Sequence, residues 1–213
     1  SWGELQSYYN SGYEPYDPAH GSNAEDDEII RVAKQTGKFR HLPMLAGKRV
    51  LDVGCGAGFF IRIAGRLGAI CEGVEPSTYA AEVARKQGLK VFCGTLDAFT
   101  SQTAEKFDVI TANHVVEHVP NPIETLSTMK SLLAPGGLIW IAVPNAAYPL
   151  ARALRGRWHS TDLPYHLMQF SPQSMTKAAN EAGLKVLNLY TESIPAMVEG
   201  SIGLYLRYRW MIP

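Results

Sequence analysis

Residues 49–58 read Arg49-Val50-Leu51-Asp52-Val53-Gly54-Cys55-Gly56-Ala57-Gly58. An apolar run, Val50 to Val53, ends in three glycines at alternate positions, and a segment of helical character, Phe59 to Leu67, follows at once. This order predicts a strand, a tight glycine turn and the start of a helix. Glycine reaches positive φ at little steric cost and lets a ligand approach the backbone where a Cβ would stand in the way. A helix start adds unpaired N–H groups and the positive end of a dipole. Two common ligand loops are disfavoured by one residue. A P-loop requires Lys-Ser/Thr after the last glycine, where this chain has Phe59-Phe60. The dinucleotide fingerprint G-x-G-x-x-G requires a third glycine at position 59, which is again Phe59.

What stands is G-x-G-x-G preceded by Asp52. It resembles the first motif of the class I methyltransferases that use S-adenosylmethionine. The resemblance implies that the loop from Gly54 through Cys55 and Gly56 to Gly58, with Asp52 before it, holds the methionine end and ribose of that cofactor. The chain downstream continues in the same order. A second strand over Ala69 to Val74 is followed directly by Glu75 and Pro76. Ligands of open parallel sheets bind beyond the carboxyl ends of the strands, and an acid there can accept hydrogen bonds from both ribose hydroxyls. In the family, Glu75 corresponds to the ribose-binding acid. A third strand, Leu89 to Cys93, precedes Thr95, Leu96 and Asp97, which match the family's adenine-side loop. Asp97 is also a reasonable helix cap. A fourth strand, Phe107 to Ala112, leads into Asn113-His114-Val115-Val116-Glu117-His118-Val119-Pro120. That run resembles the branch containing ubiquinone-biosynthesis O-methyltransferases and many sugar or small-molecule methyltransferases. It implies that Asn113 and His114 line the methionine side. Leu132-Leu133-Ala134-Pro135-Gly136-Gly137 resembles the family's turn into a fifth strand, Leu138 to Val143.

Beyond Pro144-Asn145 the alternation breaks. Residues 146–168 are aromatic and mixed in charge, too rich for a plain linker, and form an expected acceptor-side lid over about residues 146–170. His166-Leu167-Met168-Gln169-Phe170-Ser171-Pro172 resembles a segment of the same branch. A sixth strand is expected over Leu184 to Tyr190, and a seventh, antiparallel, within Ser201 to Tyr208. The fold class is therefore α/β: a doubly wound, seven-stranded, mostly parallel sheet. Residues 1–45 are expected to form an N-terminal arm and helix, and residues 46–213 the cofactor-binding domain. Helix starts are signalled by Ser77, by Asn121 with Pro122 and by Ser171 with Pro172.

The composition narrows the partners. The chain has 213 residues, 46% hydrophobic, with 20 Lys+Arg against 20 Asp+Glu and a formal net charge of zero. That balance argues against a partner held through nucleic-acid phosphates. Cys55, Cys71 and Cys93 form no CxxC pair and sit in or beside apolar runs, which suits free thiols in a reducing, cytoplasmic compartment. No metal is expected. If the acceptor is a hydroxyl, a general base assists its deprotonation, and histidine is the natural choice. Among six histidines, His118 and His166 are the catalytic candidates, while His20 and His41 are expected on the surface. The reading is transfer of a methyl group from S-adenosylmethionine, leaving S-adenosylhomocysteine, to a small-molecule acceptor such as a phenol or quinone, a sugar or a lipid-linked saccharide. Methylation of nitrogen or carbon, a binding module without catalysis, and a nicotinamide-dependent oxidoreductase are the rivals. Membrane contact by the C-terminal tail is disfavoured, and a monomer or homodimer is expected.

Overall fold

The computed structural model describes residues 37–154 and 165–191. In chain order the elements are α1 (Gly37–Arg40), β1 (Arg49–Val53), α2 (Phe59–Arg66), β2 (Ile70–Glu75), α3 (Thr78–Lys86), β3 (Val91–Cys93), α4 (Leu96–Thr100), β4 (Phe107–Asn113), α5 (Pro122–Ser131), β5 (Leu133–Ala142), α6 (Pro149–Leu154) and α7 (Pro172–Glu181). The sheet runs β3-β2-β1-β4-β5, and every pair is parallel. Each parallel return requires a crossover, which explains the alternation of strands and helices. The order reverses at β1, between β2 and β4, so a crevice opens at the carboxyl ends of β1 and β4.

Alternate residues of the central strands face opposite layers. Leu51, Val53, Ile110 and Ala112 pack with Leu126 and Met129 of α5 and Ala178 of α7. Val50 and Val109 pack with Phe60, Ile61 and Ala64 of α2 and Ala81 and Ala84 of α3. Burying one such leucine or isoleucine contributes roughly 1.5–3 kcal/mol, so a strand covered on both faces reads as a continuous apolar run. The helix starts follow the expected caps. Ser77, Asn121 and Ser171 each accept a backbone N–H from the first turn that follows, and Ser171 and Ser174 form a reciprocal box.

Two expectations about the sheet are corrected. Among the described residues it has five strands, all parallel, rather than seven with an antiparallel last one. Leu184–Tyr190, expected as the sixth strand, pairs with none of them; Leu184 packs on the core, while Leu187 is 71% exposed. A strand needs a neighbour's ladder, and the segment expected to follow it, Ser201 to Tyr208, lies outside the described residues. The second correction concerns the Pro-Gly-Gly turn, which is a bulge within β5. Phe107 pairs with Leu133 and Val109 with Leu138, so Asp108 alone stands opposite residues 134–137. Gly137 permits this, because a Cβ there would lie 2.9 Å from the Phe107 carbonyl oxygen and 3.1 Å from that of Asp108.

The N-terminal helix is described only over Gly37–Arg40, and the arm before it, with His20, lies outside the described residues. So do residues 155–164 of the expected lid. His41, expected on the surface, is half-buried and stacks on Tyr190 at 4.2 Å between ring centroids. The three cysteines are free, with Cys55 buried and the other two half-buried. No helix among the described residues is long and apolar enough to cross a membrane.

Candidate functional site

The glycine turn folds back over the end of β2. Gly54 and Cys55 both donate to the Val74 carbonyl, at 2.8 and 3.2 Å. Gly54 has φ 67°, and its α-carbon faces Val115 so closely that a Cβ would lie 2.5 Å from a Val115 methyl. Gly58, at φ 86°, is the N-cap of α2 and supplies no side-chain cap. The start of α2 thus turns the positive end of its dipole toward the glycine turn with no capping side chain in between.

Glu75 closes the other side of the turn. It ends β2 and is 2% exposed. One carboxylate oxygen accepts the Gly56 N–H and the other the Ser77 N–H, both at 2.8 Å. A buried carboxylate tolerates this position because it is hydrogen-bonded at both oxygens. It is a fixed acceptor, and a vicinal diol can join or replace the backbone donors. The residues present therefore fit a ribose-bearing cofactor. Pro76, half-buried, stands between the two ends of this bridge.

The other candidates fall into three groups. Asp52 is buried and accepts from the Thr111 hydroxyl at 2.5 Å, which ties β1 to β4. The sulfur of Cys55 lies against Gly73, where a Cβ would come within 2.4 Å of it, so only the Cys55 backbone can face a ligand. Burial and the nearby Asp52 carboxylate push the Cys71 thiol up to about 12. On the adenine side, Thr95 caps α4 by accepting from the Ala98 N–H, Leu96 is buried, and exposed Asp97 accepts from the Thr128 hydroxyl of α5 at 3.3 Å. The cap is thus Thr95, and Asp97 lies in the first turn. Exposed Asn113 ends β4 beside Ala142, and His114 follows in the left-handed region at φ 55°.

The expected catalytic pair does come together, although 47 residues separate its members in the chain. The rings of His118 and His166 meet edge to face at 4.6 Å between centroids. Both side chains are buried. His118 Nδ1 is 3.0 Å from the Tyr165 carbonyl oxygen. A carbonyl only accepts, so Nδ1 carries the proton, which makes Nε2 the basic nitrogen of the neutral ring. The post-β5 segment is fastened by backbone as well. Leu167 and Met168 N–H groups donate to the Glu117 carbonyl, and Ala146 N–H donates to that of Phe170.

Glu117, which the sequence offers as an orienting neighbour of His118 or as a structural carboxylate, is the hub, and it reaches His114 and His166. It is 1% exposed; its Oε1 lies 3.1 Å from His114 Nδ1 and 4.0 Å from His166 Nε2. The signal available in sequence was the Glu117-His118 pair itself; what hid its role was the distance to His166. Glu117, His118 and His166 each offer a ligand atom within 4.8 Å of the others, an arrangement that could hold a divalent ion and that stands beside the expectation of no metal.

Burial holds the His118 imidazole below its ordinary value, helped by His166 and His114 and opposed by Glu117 and the Tyr165 carbonyl. The folded chain therefore binds that proton more weakly than the unfolded chain, whose value lies near 6.5. The stability this confers is present above that value and is lost as pH falls through the folded one. Melting temperature should thus drop between pH 7.5 and 5, and the drop should be shallower in His118→Asn. An equally steep drop in the variant would assign it to other groups.

The comparisons with known proteins agree with this architecture. Residues 26–189 match a family described as a methyltransferase domain. A ubiquinone biosynthesis O-methyltransferase of Actinobacillus pleuropneumoniae is 40% identical over 111 residues, 47% of each chain. One from Aromatoleum aromaticum is 32% identical over 157 residues, 68% of this chain and 67% of that one. The chain spans about half the length of several curated relatives it matches. Among solved structures, a magnesium protoporphyrin IX methyltransferase from Synechocystis with bound SAH aligns with TM-score 0.60 at 18% identity, over 91% of this chain and 94% of that one. A SAM-dependent methyltransferase from Thermotoga maritima aligns with TM-score 0.58 at 24% identity, over 86% and 81%. At those identities the structural likeness concerns the fold.

Proposed function

The chain belongs to the class I S-adenosylmethionine-dependent methyltransferases, and from that premise we propose that it transfers the cofactor's methyl group to a hydroxyl of a small molecule. The observation that carries the cofactor side is the Glu75 carboxylate, buried at the end of β2 and bonded to the Gly56 N–H of the glycine turn. In this reading Glu75 takes the ribose hydroxyls. The Gly54–Gly58 backbone and Pro76 wrap the ribose and methionine end, and Asp52 steadies the turn through Thr111. Thr95, Leu96 and Asp97 border the adenine, while Asn113 and His114 border the methionine.

The relatives named as O-methyltransferases support oxygen as the methyl acceptor, and a phenol or quinol ring as the first class to try. The cofactor supplies an activated methyl, so the protein's work is to align the acceptor in line with it and exclude water. The histidine cluster supports a hydroxyl acceptor, because such an acceptor must lose its proton as the methyl arrives. His118 and His166 are the residues expected to handle that proton.

The test is methyl transfer from labelled S-adenosylmethionine to a panel of phenols, sugars and amines, with calorimetric titration of S-adenosylhomocysteine and NAD alongside. Binding of the first, no binding of NAD and label on a hydroxyl are expected. Label appearing only on amines would overturn the hydroxyl assignment, and binding of NAD alone would overturn the cofactor reading. Chelation is expected to leave turnover unchanged. Loss of turnover that magnesium or zinc restores would instead put an ion among Glu117, His118 and His166.

A further inference from the structure

We propose that His114, held by Glu117, is the first acceptor of the hydroxyl proton, with Glu117 as its positioning residue. The proposal rests on the methyl-transfer reading and changes two roles given there: His114 passes from bordering the cofactor to acting on the acceptor, and it replaces the buried His118 and His166 as the group that first takes the proton.

Four observations carry it. The first is position. Val53 pairs with Ala112, so the chain leaving β4 runs beside the glycine turn leaving β1, and Val115 packs directly on Gly54. His114 thus stands between the glycine turn and the end of β5, from which the post-β5 segment departs. The second is access. Its side chain is 36% exposed, whereas those of His118 and His166 are buried. A base must reach the atom it deprotonates.

The third is orientation. Glu117 Oε1 lies 3.1 Å from His114 Nδ1. A carboxylate only accepts, so Nδ1 bears the proton and Nε2 keeps its lone pair. The backbone fixes the ring from the other side, since His114 N–H donates to the Ala142 carbonyl at 3.0 Å. The fourth is strain and desolvation. His114 is the one non-glycine residue at positive φ among the described residues, at 55°. Glu117 is buried, and its Oε2 has no hydrogen-bond partner among the described residues. Both features cost stability. A carboxylate kept only for structure would have both oxygens satisfied, as those of Glu75 are.

The step balances without a further reagent. His114 Nε2 takes the hydroxyl proton while an electron pair on the acceptor oxygen forms the bond to the methyl carbon. The carbon–sulfur bond breaks with its pair going to sulfur, which becomes the neutral thioether of S-adenosylhomocysteine. The imidazolium so formed is paired with the Glu117 carboxylate and later yields its proton to water.

The experiment has two arms. Imidazole nitrogen NMR of the 15N-histidine-labelled chain, saturated with S-adenosylhomocysteine, should find His114 in the Nδ1–H tautomer. The Nε2–H tautomer would overturn the proposal whatever the acceptor. The kinetic arm uses S-adenosylmethionine and catechol. His114→Asn suits it because asparagine tolerates the left-handed backbone that alanine does not. This variant should lose about 10²-fold in kcat while S-adenosylhomocysteine affinity holds. Lost affinity with unchanged kcat would return His114 to the cofactor wall and sink the proposal. Glu117→Gln should lower kcat with KM held and should not lower the melting temperature. A lower melting temperature with kcat intact would make Glu117 structural and overturn its positioning role. Failure of the methyl-transfer reading itself would look different: the unaltered chain would not bind S-adenosylhomocysteine at all.

Discussion

Glu75→Ala is expected to weaken S-adenosylhomocysteine binding by at least about 100-fold. The carboxylate is buried, and in the proposed complex it accepts the ribose hydroxyls. Hydrogen bonds to a charged group contribute roughly 1.5–3 kcal/mol each, and about 1.4 kcal/mol is a factor of ten in affinity. Two such bonds therefore exceed the 100-fold figure. The loss has a structural part as well, because the Gly56 and Ser77 N–H groups would lose their acceptors and the turn would no longer be tied to the start of α3. Glu75→Gln separates the two contributions. Its amide oxygen can keep one backbone bond while its NH₂ opposes the other, so it should bind the ligand more weakly than the unaltered chain but melt closer to it than Glu75→Ala. Calorimetric titration with parallel thermal melts reads both. If Glu75→Ala bound S-adenosylhomocysteine as the unaltered chain does, the ribose would have to lie elsewhere.

The second large effect is expected at Gly54. Alanine there meets two penalties at once. A φ of 67° costs an L-residue roughly 1–2 kcal/mol, and the new Cβ would stand 2.5 Å from a Val115 methyl. Val115 cannot retreat without moving the loop that carries His114 and Glu117. We expect about 2–3 kcal/mol of destabilisation, and a melting temperature lower by about 4–12 °C at roughly 2–4 °C per kcal/mol for a chain of this size. Cofactor binding should weaken with it, because the displaced turn carries the Gly56 N–H away from Glu75. Gly65 is the control. It lies within α2, and a Cβ there would meet nothing within 4 Å. Gly65→Ala should be neutral or stabilising, since glycine inside a helix costs roughly 0.5–1 kcal/mol relative to alanine. A Gly54→Ala chain that melted with the Gly65→Ala chain would refute the close-approach account.

How much of this was legible beforehand depended on the range of the interactions. The strand-turn-helix of residues 49–66, the placement of Glu75 at a strand tip, and the caps Ser77, Asn121 and Ser171 were all readable. Each is set by residues within a few positions, through apolar periodicity, positive φ or a side chain reaching the next turn's N–H. The parallel order of the sheet followed from the same alternation, since parallel neighbours demand crossovers.

The departures share one cause. The bulge of β5 depends on Asp108 being alone opposite four residues of a strand some 25 positions away. That Leu184–Tyr190 pairs with no strand among the described residues depends on whether any of them offers it a ladder. The role of Glu117 depends on where His114 and His166 stand, and the tautomer of His118 on a carbonyl 47 residues distant. By itself the sequence determined the local elements, the parallel α/β class and the acid that faces the glycine turn, because short-range sterics and hydrogen bonding dictate them. Only the tertiary structure decided which histidine is half-exposed, which are buried and which carboxylate oxygen goes unsatisfied among the described residues, because burial and partnership are properties of segments that meet only after the chain has closed upon itself.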